Sequence, residues 1–399
     1  MRFDEERVQL YSDEFAADHH RAYREMRERY GSLVPVELAP GVPATLVVGY
    51  RTALRILNDP QHFPADPRVW QRDLPAECPV LPVLQWRPAA PRTAGAEHER
   101  YRRATAAALD SVNMHGMNSI VERTALTLIN SFCSAGSAEL VSQYAAPLAF
   151  EIVNAILGCP PDISAKAAAA TAAVFDGGGD AQEANRLFDA AVLELVRLKQ
   201  TDPGDDITSH LVHDPAQFDE FEMVHQVLAL YGVGMGPLQS LVINTLQSIL
   251  SDNRFADGIL DGSLSTRDAL DEVLFTDPPL PNASVTYPRH PVLIDDVWLP
   301  AHQPVVISLT GCNNDPEIGT GQRTGNRSHL AWGAGAHGCP ARSLAYLIAQ
   351  NAIDQLLDAL PELQLAVPAD ALVWRPGPLH RTLAELPVTF PASPPLNIP

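Results

Sequence analysis

Residues 329–353 read HLAWGAGAHGCPARSLAYLIAQNAI, a glycine-studded loop that runs into an apolar, helix-patterned stretch. Gly333 and Gly335 permit backbone conformations and close approaches that a Cβ forbids. Cys339 closes the loop just before a helix expected over 341–359. A thiolate there meets the free N–H groups and positive dipole end of a helix N-terminus, which stabilise its charge. A single cysteine more often fills a core. The residues around it must therefore carry the assignment.

The bulk composition narrows the classes. The chain has 399 residues, 46% of them hydrophobic, enough for a large core. Its formal net charge of −20 argues against a nucleic-acid partner, which needs clustered Lys and Arg. The opening MRFDEERVQLYSDEF lacks the apolar run of a secretory signal. No uninterrupted apolar stretch of about eighteen residues suggests a membrane span. The five cysteines are odd in number, widely spaced and without a Cys-x-x-Cys pair. They suggest neither a disulfide framework nor a zinc ribbon, and a reduced, cytoplasmic location is expected.

Along the chain, 19–31 and 51–58 read as helices around PVELAPGVPATLVVG, two apolar runs split by a Pro/Gly turn. Residues 63–93 carry seven prolines and read as irregular, and so long a loop is more often functional than not. From 97 to 250 the spacing is helical almost throughout, with TDPGDDITSHL as a turn and cap. Short β-like runs follow over 283–308, and a β segment is expected over 371–390. No repeat or linker divides the chain. The expectation is one mainly α domain with small β-sheets, over 1–399.

The cysteine loop resembles that of the cytochrome P-450 family, Phe-Gly-x-Gly-x-His-x-Cys-x-Gly. Trp332, Gly333, Gly335, His337 and Cys339 are in register, with Ala341 where Gly is usual. GAEHERYRR resembles the family's His-x-x-x-Arg, with His98 and Arg102 on one helical face. PGDDITSHL, NNDPEIG and LVWRPGPLHRTLAELPV match in the family's order. The resemblance implies the P-450 fold and heme b, with Cys339 as the iron ligand at the end of a ligand loop over 329–341. That ligand is an anionic sulfur that pushes electron density towards O–O cleavage. It implies that His98, Arg102 and His337 grip the propionates and that Trp332 keeps an aromatic ring beside the ligand. It also implies a monomer supplied with electrons by a ferredoxin and ferredoxin reductase, docked near Arg100, Arg102, Arg103, Arg342, Arg323 and Arg327.

Three departures from the family pattern stand out. The helix over the haem reads Val233, Gly234, Met235, Gly236, Pro237, Leu238, so the usual acid and alcohol are Gly236 and Pro237. Neither donates a side-chain proton. Proline still frees a helical carbonyl, and water, substrate or His380 is left to deliver protons. The family's Glu-x-x-Arg is here EVLF, with Glu272 kept and Phe275 for the arginine. An unpaired buried Glu is costly, which suggests Arg323 or Arg327 as partner. Thr286 stands where an arginine usually meets a propionate, with Arg289 as its nearby replacement.

These departures resemble a divergent subgroup from actinobacterial gene clusters, with peptide-tailoring relatives. The family layout implies a substrate-side loop over 63–97 with Arg68, Trp70, Arg72 and Trp86, and further substrate contacts at Met235, Leu238, Asn282, Val285 and Leu379. Arginines and tryptophans in one loop suit an aromatic or carboxylate-bearing small molecule or short peptide. The expected function is oxidative tailoring of a bacterial natural product, and loss of the relay pair favours oxidative coupling. Ordinary hydroxylation is the alternative. A non-catalytic haem-binding or auxiliary partner protein is the second.

Overall fold

The two apolar runs at 33–47 pair as expected, as the antiparallel strands Leu33–Ala39 and Val42–Val47. Gly41 turns the chain between them at φ 74°. This hairpin is the centre of a five-stranded sheet, in the order Val8–Gln9, Leu33–Ala39, Val42–Val47, Val305–Ile307, Ser284–Thr286. Val42–Val47 runs parallel to Val305–Ile307, so residues separated by most of the chain form one sheet. The computed structural model describes residues 7–175, 181–252, 254–255, 264–318 and 326–398.

Helices make up most of the remainder. Met114–Phe132 starts at Asn113, whose side chain accepts from the N–H groups of His115 and Gly116. Glu220–Ser251, the longest, opens on a capping box between Asp219 and Glu222. By length and composition it could cross a membrane. Its apolar residues instead join two core clusters at once, the pattern of a buried central helix. Around it pack Ala146–Leu157, Thr266–Thr276 and Arg342–Ala359, the last starting three residues after Cys339. The Tyr144 hydroxyl, just before Ala146–Leu157, donates to the Ala352 carbonyl at 2.5 Å and ties that element to Arg342–Ala359.

Two expectations about local structure need correction. The segment 371–390 holds only the strand Pro387–Thr389 and an isolated Trp374–Leu383 bridge. Pro376, Gly377 and Pro378 interrupt any longer ladder. The proline-rich loop contains short turns at Trp70–Asp73, Leu81–Leu84 and Ala90–Arg92. It is anchored by Trp70, Cys78, Val80 and Leu84 in the core.

Candidate functional site

The cysteine loop is folded by its own backbone. Gly333 N donates to Leu330 O, Gly338 N to Gly335 O, and Cys339 N to Trp332 O at 2.7 Å. Gly335 has φ 64°, and a Cβ there would stand 2.2 Å from the Leu57 carbonyl. The glycine is thus required by a close approach to the helix Tyr50–Leu57. Of the five cysteines only Cys339 is exposed.

The thiol itself departs from expectation. Surrounding protein pushes its pKa up, and this outweighs the Ala341 N–H, Arg102 and Arg342, which pull it down. Left to the chain alone, the sulfur stays protonated at neutral pH. A bound metal cation deprotonates such a thiol.

His98 and Arg102 lie on the helix Gly95–Asp110, which meets the loop from one side. The His98 and His337 ring centroids are 4.1 Å apart. Arg102 Nη2 donates to Gly338 O at 2.5 Å. Burial, then His98, Arg102 and Arg92, lower the His337 pKa to about 4. His98 is lowered chiefly by burial and then by Arg102, and its buried Nε2 has no partner. Two imidazoles in contact, one with an unpartnered buried nitrogen, and a guanidinium that bonds only a carbonyl fit an anionic ligand. With an exposed thiol three residues from a helix start, this donor set fits haem and its two carboxylates. Trp332 packs 5.4 Å from Tyr346, behind the loop.

Other candidates fall elsewhere. Arg289 is exposed and spends Nε on the Gln61 carbonyl at 3.1 Å. Thr286 donates to Val305 O within the sheet. The His380 ring folds over Gly377 beside the N-terminal helices, with no recorded contact to Gly236 or Pro237. Asn282 is a buried staple that donates to Pro378 O and accepts from the Tyr23 hydroxyl. Val285, Leu379 and Trp70 belong to the core around the sheet, and Trp70 stacks on Tyr287. Arg68 lies 5.2 Å over the Trp86 ring and is ion-paired to Asp66 and Glu97, so it clasps the loop to the histidine helix. His19, His20 and Asp277 approach one another closely enough for a metal. Arg381 already supplies the cation there, at 3.1 Å from Asp277.

On the long helix, Leu238 is buried in the main core and Met235 packs against the neighbouring cluster. Away from its ends, where Glu220, Phe221 and Ser251 are exposed, the open positions of this helix are Gly232, Val233 and Gly236. A Cβ at Gly232 or Gly236 would meet nothing within 4 Å. The helix runs unbroken through Pro237, whose missing N–H leaves the Val233 carbonyl without its helical donor. The sequence marks neither Gly232 nor Val233 as a cleft residue, because apolar spacing does not tell a core-facing residue from one facing a cleft.

Behind the loop, the buried acid is Asp271, one residue before the expected Glu272, which is only partly buried. Asp271 accepts from the Tyr346 hydroxyl at 2.5 Å and from Arg327 Nε at 3.1 Å, with Arg267 Nε at 3.8 Å. Phe275 fills the arginine's place with an edge contact to His329. Arg323 lies outside the described residues.

No family model matches the chain. Among curated proteins it is 26% identical over 396 residues to cytochrome P450 107B1 of Saccharopolyspora erythraea, covering 95% of this chain and 96% of the relative. It is 28% identical to the cytochrome P450 monooxygenase PikC of Streptomyces venezuelae, covering 94% and 92%. It is also 25% identical to 2-hydroxy-5-methyl-1-naphthoate 7-hydroxylase of Streptomyces carzinostaticus, covering 94% and 96%. Among solved structures, CYP154C4 from Streptomyces sp. W2061 superposes with a TM-score of 0.85 at 24% identity, covering 96% of this chain and 98% of that one. The tirandamycin C-bound monooxygenase TamI gives 0.83 at 24%, covering 96% and 100%.

Proposed function

Because this chain belongs to the cytochrome P450 superfamily, we propose that it is a haem-thiolate monooxygenase that hydroxylates a bacterial natural product. The observation that carries this is likeness over almost the whole chain to relatives whose names state hydroxylation, among them 6-deoxyerythronolide B hydroxylase. Those names favour hydroxylation over the oxidative coupling expected from the missing relay pair. Bound haem supplies an iron centre at which dioxygen is activated. Cys339 gives the iron an anionic sulfur, and His98, Arg102 and His337 receive the haem carboxylates. The Val233 carbonyl is an acceptor for water or a substrate hydroxyl, and Gly236 leaves space beside it. With no side-chain proton at 236 or 237, that water or hydroxyl brings the protons.

Turnover under isotopically labelled dioxygen, with a substrate chosen because it perturbs the haem spectrum, tests the reading. One labelled oxygen in the product is expected. A product that only loses hydrogen would restore coupling. In the same assay, Gly236→Glu with Pro237→Thr raises product formed per electron and lowers released peroxide several-fold. A tightly coupled wild type that the double variant leaves unchanged would show a relay elsewhere.

The proposed partners are a ferredoxin and its reductase, in the cytoplasm, with the chain acting as a monomer. The basic face is narrower than the sequence suggests, because Arg100 is held by Glu222 and Arg327 by Asp271. Arg103 and Arg342 remain, without an ion pair among the described residues. Reduction by an acidic ferredoxin should slow as ionic strength rises past about 0.1 M, where the screening length is about 10 Å. A flat rate in stopped-flow would remove this face from the docking site.

A further inference from the structure

Thr286, which stands where the family has an arginine, bonds within the sheet, and Arg289, its expected replacement, is exposed and bonded to the Gln61 carbonyl. Two other groups are less exposed than Arg289 and only weakly held or not held at all. Arg92 ends the short turn Ala90–Arg92, which packs against the histidine helix. It is half-buried, and its only recorded bonds are 3.3 Å contacts to the carbonyls of Val83 and of its own neighbour Pro91. In this acidic chain Arg68, Arg100, Arg197, Arg254 and Arg381 each hold a carboxylate. Arg92 holds none among the described residues.

Tyr287 is 2% exposed, and its hydroxyl is buried without a partner although its ring is well packed on Trp70. A buried hydroxyl left unmet costs about 1–3 kcal/mol, so the fold leaves a donor waiting for an acceptor. Tyr287 packs on Trp70 at 5.4 Å, Arg68 two residues earlier is paired to Glu97 at 2.8 Å beside His98, and His98 meets His337 at 4.1 Å, so Tyr287, the turn of Arg92 and the two histidines border one region. Glu99 and Asp66 act on His98 and Tyr287 from further off, but neither is bonded to them. The region therefore gathers donors and cations with no bonded carboxylate.

We infer that Arg92 and Tyr287 are the second arm of the carboxylate grip, holding a haem propionate by guanidinium and phenol hydroxyl alongside Arg102, His98 and His337. This rests on the haem reading above and assigns to Arg92 and Tyr287 the role expected of Arg289. Arg92 precedes His98 by six residues, so one short stretch of chain supplies both arms. Guanidinium–carboxylate bonds are among the stronger hydrogen bonds.

The test is haem transfer from the ferric holoprotein to excess apomyoglobin, with resonance Raman of the propionate bending modes. Arg92→Gln and Tyr287→Phe should each speed haem loss, Arg92→Gln by about tenfold or more. Both should shift a propionate mode, and both should keep the thiolate-type carbon monoxide band. Tyr287→Phe removes only the hydroxyl and keeps the ring on Trp70, so it separates the bond from packing. Arg289→Gln should match the wild type. If wild type holds haem and neither variant changes loss rate or Raman modes, the grip is overturned alone. If wild type takes up no haem, the haem reading falls and the grip with it.

Discussion

Cys339→Ala abolishes the red-shifted carbon monoxide band of the reduced protein, while alanine at Cys78, Cys133, Cys159 or Cys312 leaves it intact. The expectation follows from access and chemistry together. Only Cys339 is exposed, and although its surroundings raise its pKa on balance, the Ala341 N–H, Arg102 and Arg342 beside it all pull towards the charged form. Cys312 is the clearest contrast. It is fully buried, its sulfur is 3.4 Å from Val47 O, and burial pushes its pKa far above the usual thiol range. Cys78 and Cys133 are buried, and Cys159, half-buried, is also shifted upward by its surroundings. A substitute ligand would have to come from His337 or His98, and an imidazole does not give the thiolate spectrum. A difference spectrum of reduced Cys339→Ala decides the matter: persistence of the thiolate band would sink the assignment of the loop.

What was legible in the sequence was local. The loop Gly333–Cys339, the spacing of His98 and Arg102 and the hairpin at 33–47 depend on neighbours a few residues apart; the hairpin forms as expected, and His98 and Arg102 lie against the loop. What was misread depends on which way a side chain turns. Leu238 and Val233 are both apolar residues on one helix, but one enters the core and the other faces open space. Asn282 and Trp70 have the polarity and size of substrate contacts, and tertiary packing spends both on the fold. Arg92 and Tyr287 had no spacing signal at all, because their association joins the end of the proline-rich loop to a strand end almost two hundred residues later. The coupling expectation rested on two missing side chains, which say how protons cannot arrive and nothing about the product.

The displaced acid behind the loop makes the second large effect. Asp271→Ala should destabilise the protein by about 3–5 kcal/mol, the usual consequence of removing one member of a buried charged network. Glu272→Gln, at the position the family pattern would single out, should stay within about 0.5 kcal/mol, as for an ordinary partly exposed site. The difference lies in what each carboxylate holds. Asp271 is 2% exposed and accepts from Tyr346, whose ring also lies 3.5 Å beneath the Arg267 guanidinium and packs on Trp332 of the ligand loop. The Arg327 bond adds less, since that side chain is about half exposed and screened by water. Removing the carboxylate therefore leaves a buried phenol, its pKa raised to about 12 mainly by burial, with only the 3.4 Å contact to His329 Nε2, together with a guanidinium stacked on it. His329, lowered to about 4 by its own burial, cannot take over as a charged partner. Tyr346 stands on the helix that follows Cys339, so the loss should also loosen the ligand loop and lower haem retention at the same denaturant concentration. Tyr346→Phe should reproduce part of the effect, and its combination with Asp271→Ala should cost less than the sum, because both remove one bond. Denaturant unfolding of the four variants measures this directly. Equal stabilities for Asp271→Ala and Glu272→Gln would show that the network does not bear on the loop.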